Sequence, residues 1–374
     1  MPEYSESTDV KVGPNDKVYP VAKIAAVVSA LWAEGVSSER ALEGLKLKEN
    51  ELNSTGARVS QRQLIECYSN AVRLTSDSQF ACRLGTHFRV SMYGIYGFAL
   101  LSSPTFRDAI RFALDYFELT SPLVTTSFRE DRNQGAWTLA LLPFSLVDAP
   151  LYRFIVELEL STLLTLHRDV MGPSFALREI QLTFAGGSAD RKRWLEEFFG
   201  CPIVFDRTEN RFIFDAKGPK GLDDAPDLAN ALTFATLVDL CKQLAQELES
   251  RVGIIGRVRE AILVNVARPT GLDRVAKQLG MAPRTLRRQL RDEGTTFRKV
   301  ADGLRMQLAV KYLRDTRLRN EDIASSLGFS DAANFRKAFK RWTDASPSQF
   351  RPHFEARHGR NPAGTEANRT TTPR

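Results

Sequence analysis

Residues 323–342 read IASSLGFSDAANFRKAFKRW, and residues 272–290 read LDRVAKQLGMAPRTLRRQL. The small residue and the glycine of the earlier stretch, Ala276 and Gly280, return 48 positions later as Ala324 and Gly328. Each copy predicts two short helices parted by a glycine turn. A small residue lets the helices cross closely, and glycine permits the positive φ that the turn needs. Leu286 falls ten residues after Ala276 and points back to the core, which is the helix-turn-helix spacing. Pro283 suits the first turn of a helix, where its missing N–H has no partner to lose. In the second copy Phe335 falls eleven residues after Ala324, so that turn is one residue longer.

Between the copies, Phe297, Val300, Leu304, Leu308 and Tyr312 mark one face of a helix of about 18–20 residues, roughly 30 Å long at 1.5 Å per residue. Major-groove faces on one side of B-DNA recur at about 34 Å, so such a rod suits two recognition helices in adjacent grooves. Both second helices are rich in donors: Arg284, Arg287, Arg288 and Arg291 in one, Asn334, Arg336, Lys337 and Lys340 in the other. Arginine bonds guanine O6 and N7 bidentately, whereas lysine meets mainly phosphate.

On these stretches, residues 256–353 resemble the DNA-binding domain of AraC/XylS-type transcription regulators. The resemblance implies base reading by Arg284, Arg287 and Arg288 in the first recognition helix and by Ala332, Arg336 and Lys337 in the second. Thr285, Arg291, Ser330, Asp331, Asn334 and Lys340 complete the expected DNA-binding set. Ala332 departs from the longer polar residues often found there and implies an apolar contact, such as a thymine methyl. Ile323, Ala324, Leu327, Gly328, Phe329, Phe335, Phe339, Trp342 and Pro347 match the structural signature and are expected in core and turn.

The chain has 374 residues, 43% hydrophobic and 26% charged, which suggests two or three globular domains and excludes a disordered or collagen-like chain. Of its 52 Lys and Arg and 45 Asp and Glu, 26 and 12 fall in 251–374, so that third carries +14 and residues 1–250 carry −7. A basic third joined to an acidic remainder points to a polyanionic partner for the basic part only. The longest uncharged run, Val90–Phe106, is too short and too broken by Gly and Pro to span a membrane. The first ten residues carry acids and no apolar core, unlike a secretory signal. Cys67, Cys82, Cys201 and Cys241 are scattered and read as reduced thiols of a cytoplasmic protein.

Upstream of 216 helical and strand signals alternate. Helices are expected at Ala22–Ala33, at Gln63–Leu74 behind the capping box Ser60-Gln61-Arg62-Gln63, at Phe106–Leu119, Leu151–Val170 and Arg191–Phe199. Strands are expected at Leu123–Arg129, Ala136–Leu142, Leu177–Phe184, Ile203–Phe205 and Phe212–Phe214. The fold class is therefore an α+β N-terminal sensor domain followed by an all-α DNA-binding domain with two helix-turn-helix units joined by a long helix. The expected divisions are a flexible 1–16, an α+β domain at 17–215, a linker and connecting helix at 216–250, the DNA-binding domain at 251–356 and a disordered tail at 357–374. The stretch 217–226 is a linker by composition. In the helix Leu228–Ser250, Leu237, Cys241, Leu244 and Leu248 form one stripe, either packed on its own domain or serving as a dimer seam.

YGIYGFALLSSPTFRDAI and FFGCPIVFDRTENRFIFD are similar to the arabinose-binding-like effector domains of one branch of the same family. That similarity implies small-molecule sensing and dimerisation, without implying arabinose. His87, Tyr93, Tyr96, Phe112 and Tyr116 are the expected effector-binding residues, with Arg89, Arg129 or Arg153 to hold a carboxylate if the effector is an organic or fatty acid. His87, His167, His353 and His358 form no ligand pair, and no Gly-rich phosphate loop or Gly-x-Ser-x-Gly elbow occurs, so neither metal, cofactor nor catalytic residues are expected. The expected partners are a double-stranded DNA operator, RNA polymerase, a small-molecule effector and a second copy of the chain, with no membrane. The competing class is an enzyme, such as an alkyl-transferring repair protein, carrying a DNA-binding module. It requires an activated cysteine, and none of the four has a basic or His-flanked setting.

Overall fold

The computed structural model describes residues 12–350, apart from 121, 132, 142–146, 251–252, 264–270, 294, 316–317 and 344–345. The expected tail 357–374 and most of the expected flexible N-terminus lie outside the described residues. A two-residue ribbon, β1 (Tyr19–Pro20) with β2 (Arg58–Val59), closes the first helical layer. That layer holds α1 (Ala22–Ala33), α2 (Ser38–Ala41) and α3 (Gln61–Leu74). Ile24, Val27, Val28 and Leu31 bury one face of α1. The capping box of α3 forms: the Ser60 hydroxyl accepts from the Gln63 amide at 3.2 Å, and Gln63 Oε1 accepts from the Ser60 amide at 3.0 Å.

Next come α4 (Phe80–Gly85), α5 (Gly94–Ser102) and α6 (Phe106–Asp115). The strands β3 (Val124–Asp131) and β4 (Gln134–Leu141) form a hairpin in register from Val124↔Leu141 to Asp131↔Gln134. The long α7 (Ala149–Met171) follows, N-capped by Asp148, whose carboxylate accepts from the Leu151 amide at 3.0 Å. Then come β5 (Glu179–Gln181), α8 (Ala189–Phe199), β6 (Ile203–Val204) and β7 (Asn210–Asp215). The five-stranded sheet runs β3-β4-β7-β5-β6, antiparallel except for β5 with β6. One large core lies between it and the helices. A buried ion pair fixes α8 to α7: the Arg191 guanidinium spans both Glu157 carboxylate oxygens at 2.5 and 2.6 Å. Burial raises the Glu157 carboxyl above its ordinary range, and Arg191 partly offsets it.

The segment 217–226, composed like a linker, is a strap anchored on the core. Leu222 is fully buried, and the carbonyls of Leu222 and Asp224 accept the first free amides of α6, those of Arg107 and Phe106, both at 2.8 Å. These bonds satisfy helix-terminal donors that would otherwise be orphaned. The strap leads into α9 (Ala231–Ser250), which packs on α5.

The C-terminal helices are α10 (Ile254–Leu263), α11 (Leu272–Gln278), α12 (Pro283–Asp292), α13 (Phe297–Asp315), α14 (Asn320–Ser326) and α15 (Ala332–Thr343). They build two small cores, one under α10, α11 and α12, the other under α14 and α15. The 19-residue α13 joins both, with Leu304 in the first core, Ala309 and Leu313 in the second, and Leu308 packed against each. Among the described residues no helix is long and apolar enough to cross a membrane.

Candidate nucleic-acid interface and effector cavity

The two helical pairs repeat each other at the level of single bonds. Gly280 and Gly328 take φ of +67° and +75°. The Met281 amide donates to the Ala276 carbonyl at 2.8 Å, and the Phe329 amide donates to the Ala324 carbonyl at 2.9 Å. This six-to-one closure ends the first helix of each pair and turns the chain toward the second. Ala276, Leu286, Ala324 and Phe335 are all buried where the helices cross. Five residues separate α14 from α15 against four between α11 and α12, in keeping with the longer second turn.

With Leu286 and Leu290 facing inward, α12 turns Arg284, Arg287, Arg288 and Arg291 to solvent. With Phe335, Ala338 and Phe339 facing inward, α15 turns out Asn334, Arg336, Lys337 and Lys340. No ion pair among the described residues engages these arginines and lysines, so the positive charge of both helices is available to a polyanion. Thr285 and Ala332 are half-buried, while Ser330 and Asp331 are exposed at the entrance to α15. Asp331 caps that helix: its carboxylate accepts from the Asn334 amide at 2.7 Å and from the Asn334 side chain at 2.9 Å. The Asn334 amide hydrogen bond, followed by the Ser330 hydroxyl, lowers the Asp331 carboxyl below its ordinary range. Asn334 Nδ2 also donates to Ser330 Oγ at 2.9 Å, so Ser330, Asp331 and Asn334 form one local cap.

Two contacts that the sequence reading missed hold the second pair to the rod. Arg305 on α13 donates to the Leu327 carbonyl at 3.2 Å, and Asp302 on α13 receives Arg341 of α15 at 3.5 Å.

A cavity of about 80 Å³ lies in the N-terminal half, between α1, α5, α6, α7 and the β3–β4 hairpin. Of the expected effector residues, Tyr93 and Tyr96 line it. Phe112 stacks behind Tyr96 at 5.2 Å between ring centres, and Tyr116 stacks behind Phe112 at 5.0 Å, both outside the lining. His87 is exposed and does not line the cavity. Nor do the three arginines: Arg89 is paired with Asp169, Arg129 is exposed, and Arg153 lies over the Phe184 ring at 5.1 Å.

The charged residues of the lining are instead Lys23 from α1 and Glu159 from α7. A positional signal marks them in sequence: Lys23 precedes the inward Val27 and Leu31 by four and eight residues, and Glu159 follows Ile155 by four. His167 closes one wall as a neutral imidazole. The Trp137 indole donates to its Nε2 at 3.1 Å, which leaves Nδ1 to donate to the Leu163 carbonyl at 2.7 Å. Burial lowers its pKa to about 4.

The four cysteines are buried, and burial raises every thiol, to about 12 for Cys67 and Cys201 and about 11 for Cys241. No group of three or more metal-ligating side chains occurs among the described residues.

Paired helix-turn-helix units with cationic outer helices define a DNA-binding regulator, and the cavity-bearing α+β domain in front of them defines one controlled by a small molecule. The chain belongs to the AraC family of transcription regulators. The family model for the arabinose-binding N-terminal domain of AraC regulators matches residues 35–218, and a helix-turn-helix domain model matches 275–353. The ornithine utilization regulator of Pseudomonas aeruginosa is 28% identical over 90% of this chain and 96% of its own length. The transcriptional regulator VqsM of the same organism is 28% identical over 72% of this chain and 83% of its own. The urease operon transcriptional activator of Escherichia coli is 40% identical over 91 residues, which is 24% of this chain and 30% of its own.

Proposed function

We propose that the chain is a cytoplasmic, homodimeric transcription activator that presents α12 and α15 to two adjacent major grooves of an operator and answers a small organic effector held in the N-terminal cavity. The observation that carries this reading is the pair of cationic helices on one 19-residue rod, about 28 Å at 1.5 Å per residue, against a groove repeat of about 34 Å. On this reading residues 17–215 sense, 216–250 connect and 251–356 bind DNA, with Arg284, Arg287, Arg288, Arg336 and Lys337 reading bases and recruitment of RNA polymerase following. Activation is supported by the similarity to the urease operon transcriptional activator of Escherichia coli.

The dimer reading rests on α9. Of the stripe anticipated in sequence, Leu237, Cys241 and Leu248 pack against the chain's own domain, while Leu244 is exposed together with Leu232 and Leu240. Coupling between cavity and DNA-binding helices is supported by the first described residues. Lys23 lines the cavity, and seven residues earlier Asp16 accepts hydrogen bonds from the Gly13 and Gly253 amides and faces Arg259 of α10. An effector that shifts α1 therefore has a short path to α10.

Genomic footprinting of the purified full-length protein at two salt concentrations tests the reading. Discrete sites that survive the higher salt support it. Diffuse binding that vanishes with salt reduces the C-terminal helices to a charge attraction and refutes it.

A further inference from the structure

Several polar groups in the wall of the N-terminal cavity are spent inside the protein. The hydroxyls of Tyr96, Thr120 and Thr162 donate to the carbonyls of Ala113, Phe117 and Leu158 at 3.4, 2.7 and 2.8 Å. The Trp137 indole donates to His167 and His167 to the Leu163 carbonyl, so that pair is closed on itself. Lys23 is paired with Glu159 at 4.0 Å and has a further interaction within the chain. Glu159 Oε1 on α7 and Thr126 Oγ1 on β3 differ: both are buried with no hydrogen-bond partner among the described residues. Thr126 is only 6% exposed. A buried oxygen without a donor is costly, and a carboxylate oxygen can only accept. The wall therefore favours a ligand that brings a donor.

We infer that the cavity binds a neutral phenol, its hydroxyl donating to the Glu159 carboxylate and its ring held by the aromatic wall. The inference rests on the effector-sensing reading above and narrows it to a chemical class. Charge selects the neutral donor. An ammonium placed on Glu159 Oε1 stands close to the Lys23 ammonium, which is 4.0 Å from that same oxygen. A carboxylate ligand has no proton to donate to Glu159 and meets its like charge. In a water-poor site both contacts are strongly unfavourable. A hydroxyl escapes both objections, and its bond to a carboxylate is charge-assisted. The Thr126 hydroxyl can donate to the ligand oxygen or accept from a second substituent.

The ring follows from the rest of the wall. Tyr93, Tyr96, Phe106, Phe117 and Trp137 all line the cavity. Aromatic rings pack edge-to-face or offset on one another, as Phe106 and His167 already do at 5.2 Å and 86°. With an ordinary phenolic pKa of about 10, the ligand keeps its proton at neutral pH and so remains a donor.

The test is calorimetric titration of the full-length protein with phenol and 4-methylphenol. Anisole serves as phenol without its donor, benzoate as the acid and benzylamine as the cation. Saturable binding of both phenols is expected, with the three controls each at least tenfold weaker. Glu159→Gln should weaken phenol binding at least fivefold, and Ala113→Leu, which fills the cavity without touching Glu159 or Thr126, should abolish it. The ligand series on the unaltered protein carries the test if a variant fails to fold. Anisole binding as tightly as phenol overturns the donor, and benzoate or benzylamine binding more tightly overturns the neutral ligand. Failure of both phenols, or binding unchanged in Ala113→Leu, also overturns the inference. Footprinting of the same preparation separates the two levels: operators without phenol binding refute only this inference, whereas no operators refute the regulator on which it rests.

Discussion

Arg287 stands on the outer face of α12 directly after the buried Leu286, so its guanidinium is directed outward by the packing behind it. Arg287→Ala is expected to cost about 1–3 kcal/mol on the operator and little on random DNA, measured by competition gel shift. An equal loss on both makes it a phosphate contact. His167 yields a pH prediction. Its pKa is about 4 in the folded chain against an ordinary 6.5, so the unfolded chain holds more protons between those values. The stability this neutral histidine supplies is therefore complete above pH 6.5 and lost progressively as pH falls toward 4, by about 3 kcal/mol at 1.36 kcal/mol per pKa unit. Urea unfolding at pH 7, 5.5 and 4.5 should show the decline, and His167→Gln should flatten it. At this scale the sequence was uneven. The outward-facing arginines of α12 were legible because amphipathic spacing alone turns them to solvent. Lys23 and Glu159 were not, because a charged residue on an apolar stripe acquires meaning only when a second element brings its opposite charge beside it.

Among the elements, the turn glycines are the sharpest test of the repeat. At Gly280 a Cβ would meet no other atom within 4 Å, so the cost of Gly280→Ala comes from its φ of +67° alone. A loss of about 1–2 kcal/mol is expected, read as a lower urea midpoint of the C-terminal transition with DNA contacts intact. On α9 the exposed leucines make the dimer reading testable. Leu232→Lys combined with Leu240→Lys should shift sedimentation from dimer to monomer and leave the far-ultraviolet spectrum unchanged. An unchanged sedimentation coefficient removes α9 from the interface. Periodicity located α1, α3 and α7 closely because each carries a one-sided apolar stripe. It passed over α5, whose sequence GIYGFALLS has no charged residue to mark an outer face. It also presented 217–226 as a linker, since Gly, Pro and Lys describe a chain unsuited to helix or strand without showing that Leu222 is buried.

Across the whole molecule, charge is segregated by task, with +14 on residues 251–374 and −7 on the rest. Operator affinity should fall steeply with salt. With 6–10 phosphate contacts the expected loss is about 10³–10⁵ between 50 and 200 mM, and a flat profile speaks against DNA as the partner. The two halves meet at Asp16, whose carboxylate accepts the Gly253 amide and faces Arg259. Asp16→Ala is expected to leave effector binding and operator binding individually intact while shrinking the effect of each on the other, a coupling that is reciprocal by thermodynamic necessity. Titrating operator with and without saturating effector measures it. Unchanged coupling places the path elsewhere, with α9 the next candidate.

The double helix-turn-helix was determined by sequence alone, because its signals are local: alanine and glycine at fixed spacing, a proline at a helix start, leucine and phenylalanine returning to the core within a dozen residues. The acidic α+β domain was legible as a class for a similar reason, through the periods of its helices and hairpin. The cavity was decided only by tertiary structure. Lys23 and Glu159 lie 136 positions apart in the chain, and neither spacing nor composition indicates that α1 and α7 bring them to 4.0 Å in the lining of one cavity. Likewise, which face of α9 stays open was settled by the packing of α5 against it. Local steric and hydrophobic rules act over a few turns of chain, whereas a binding site is made where distant segments fail to fill the space between them.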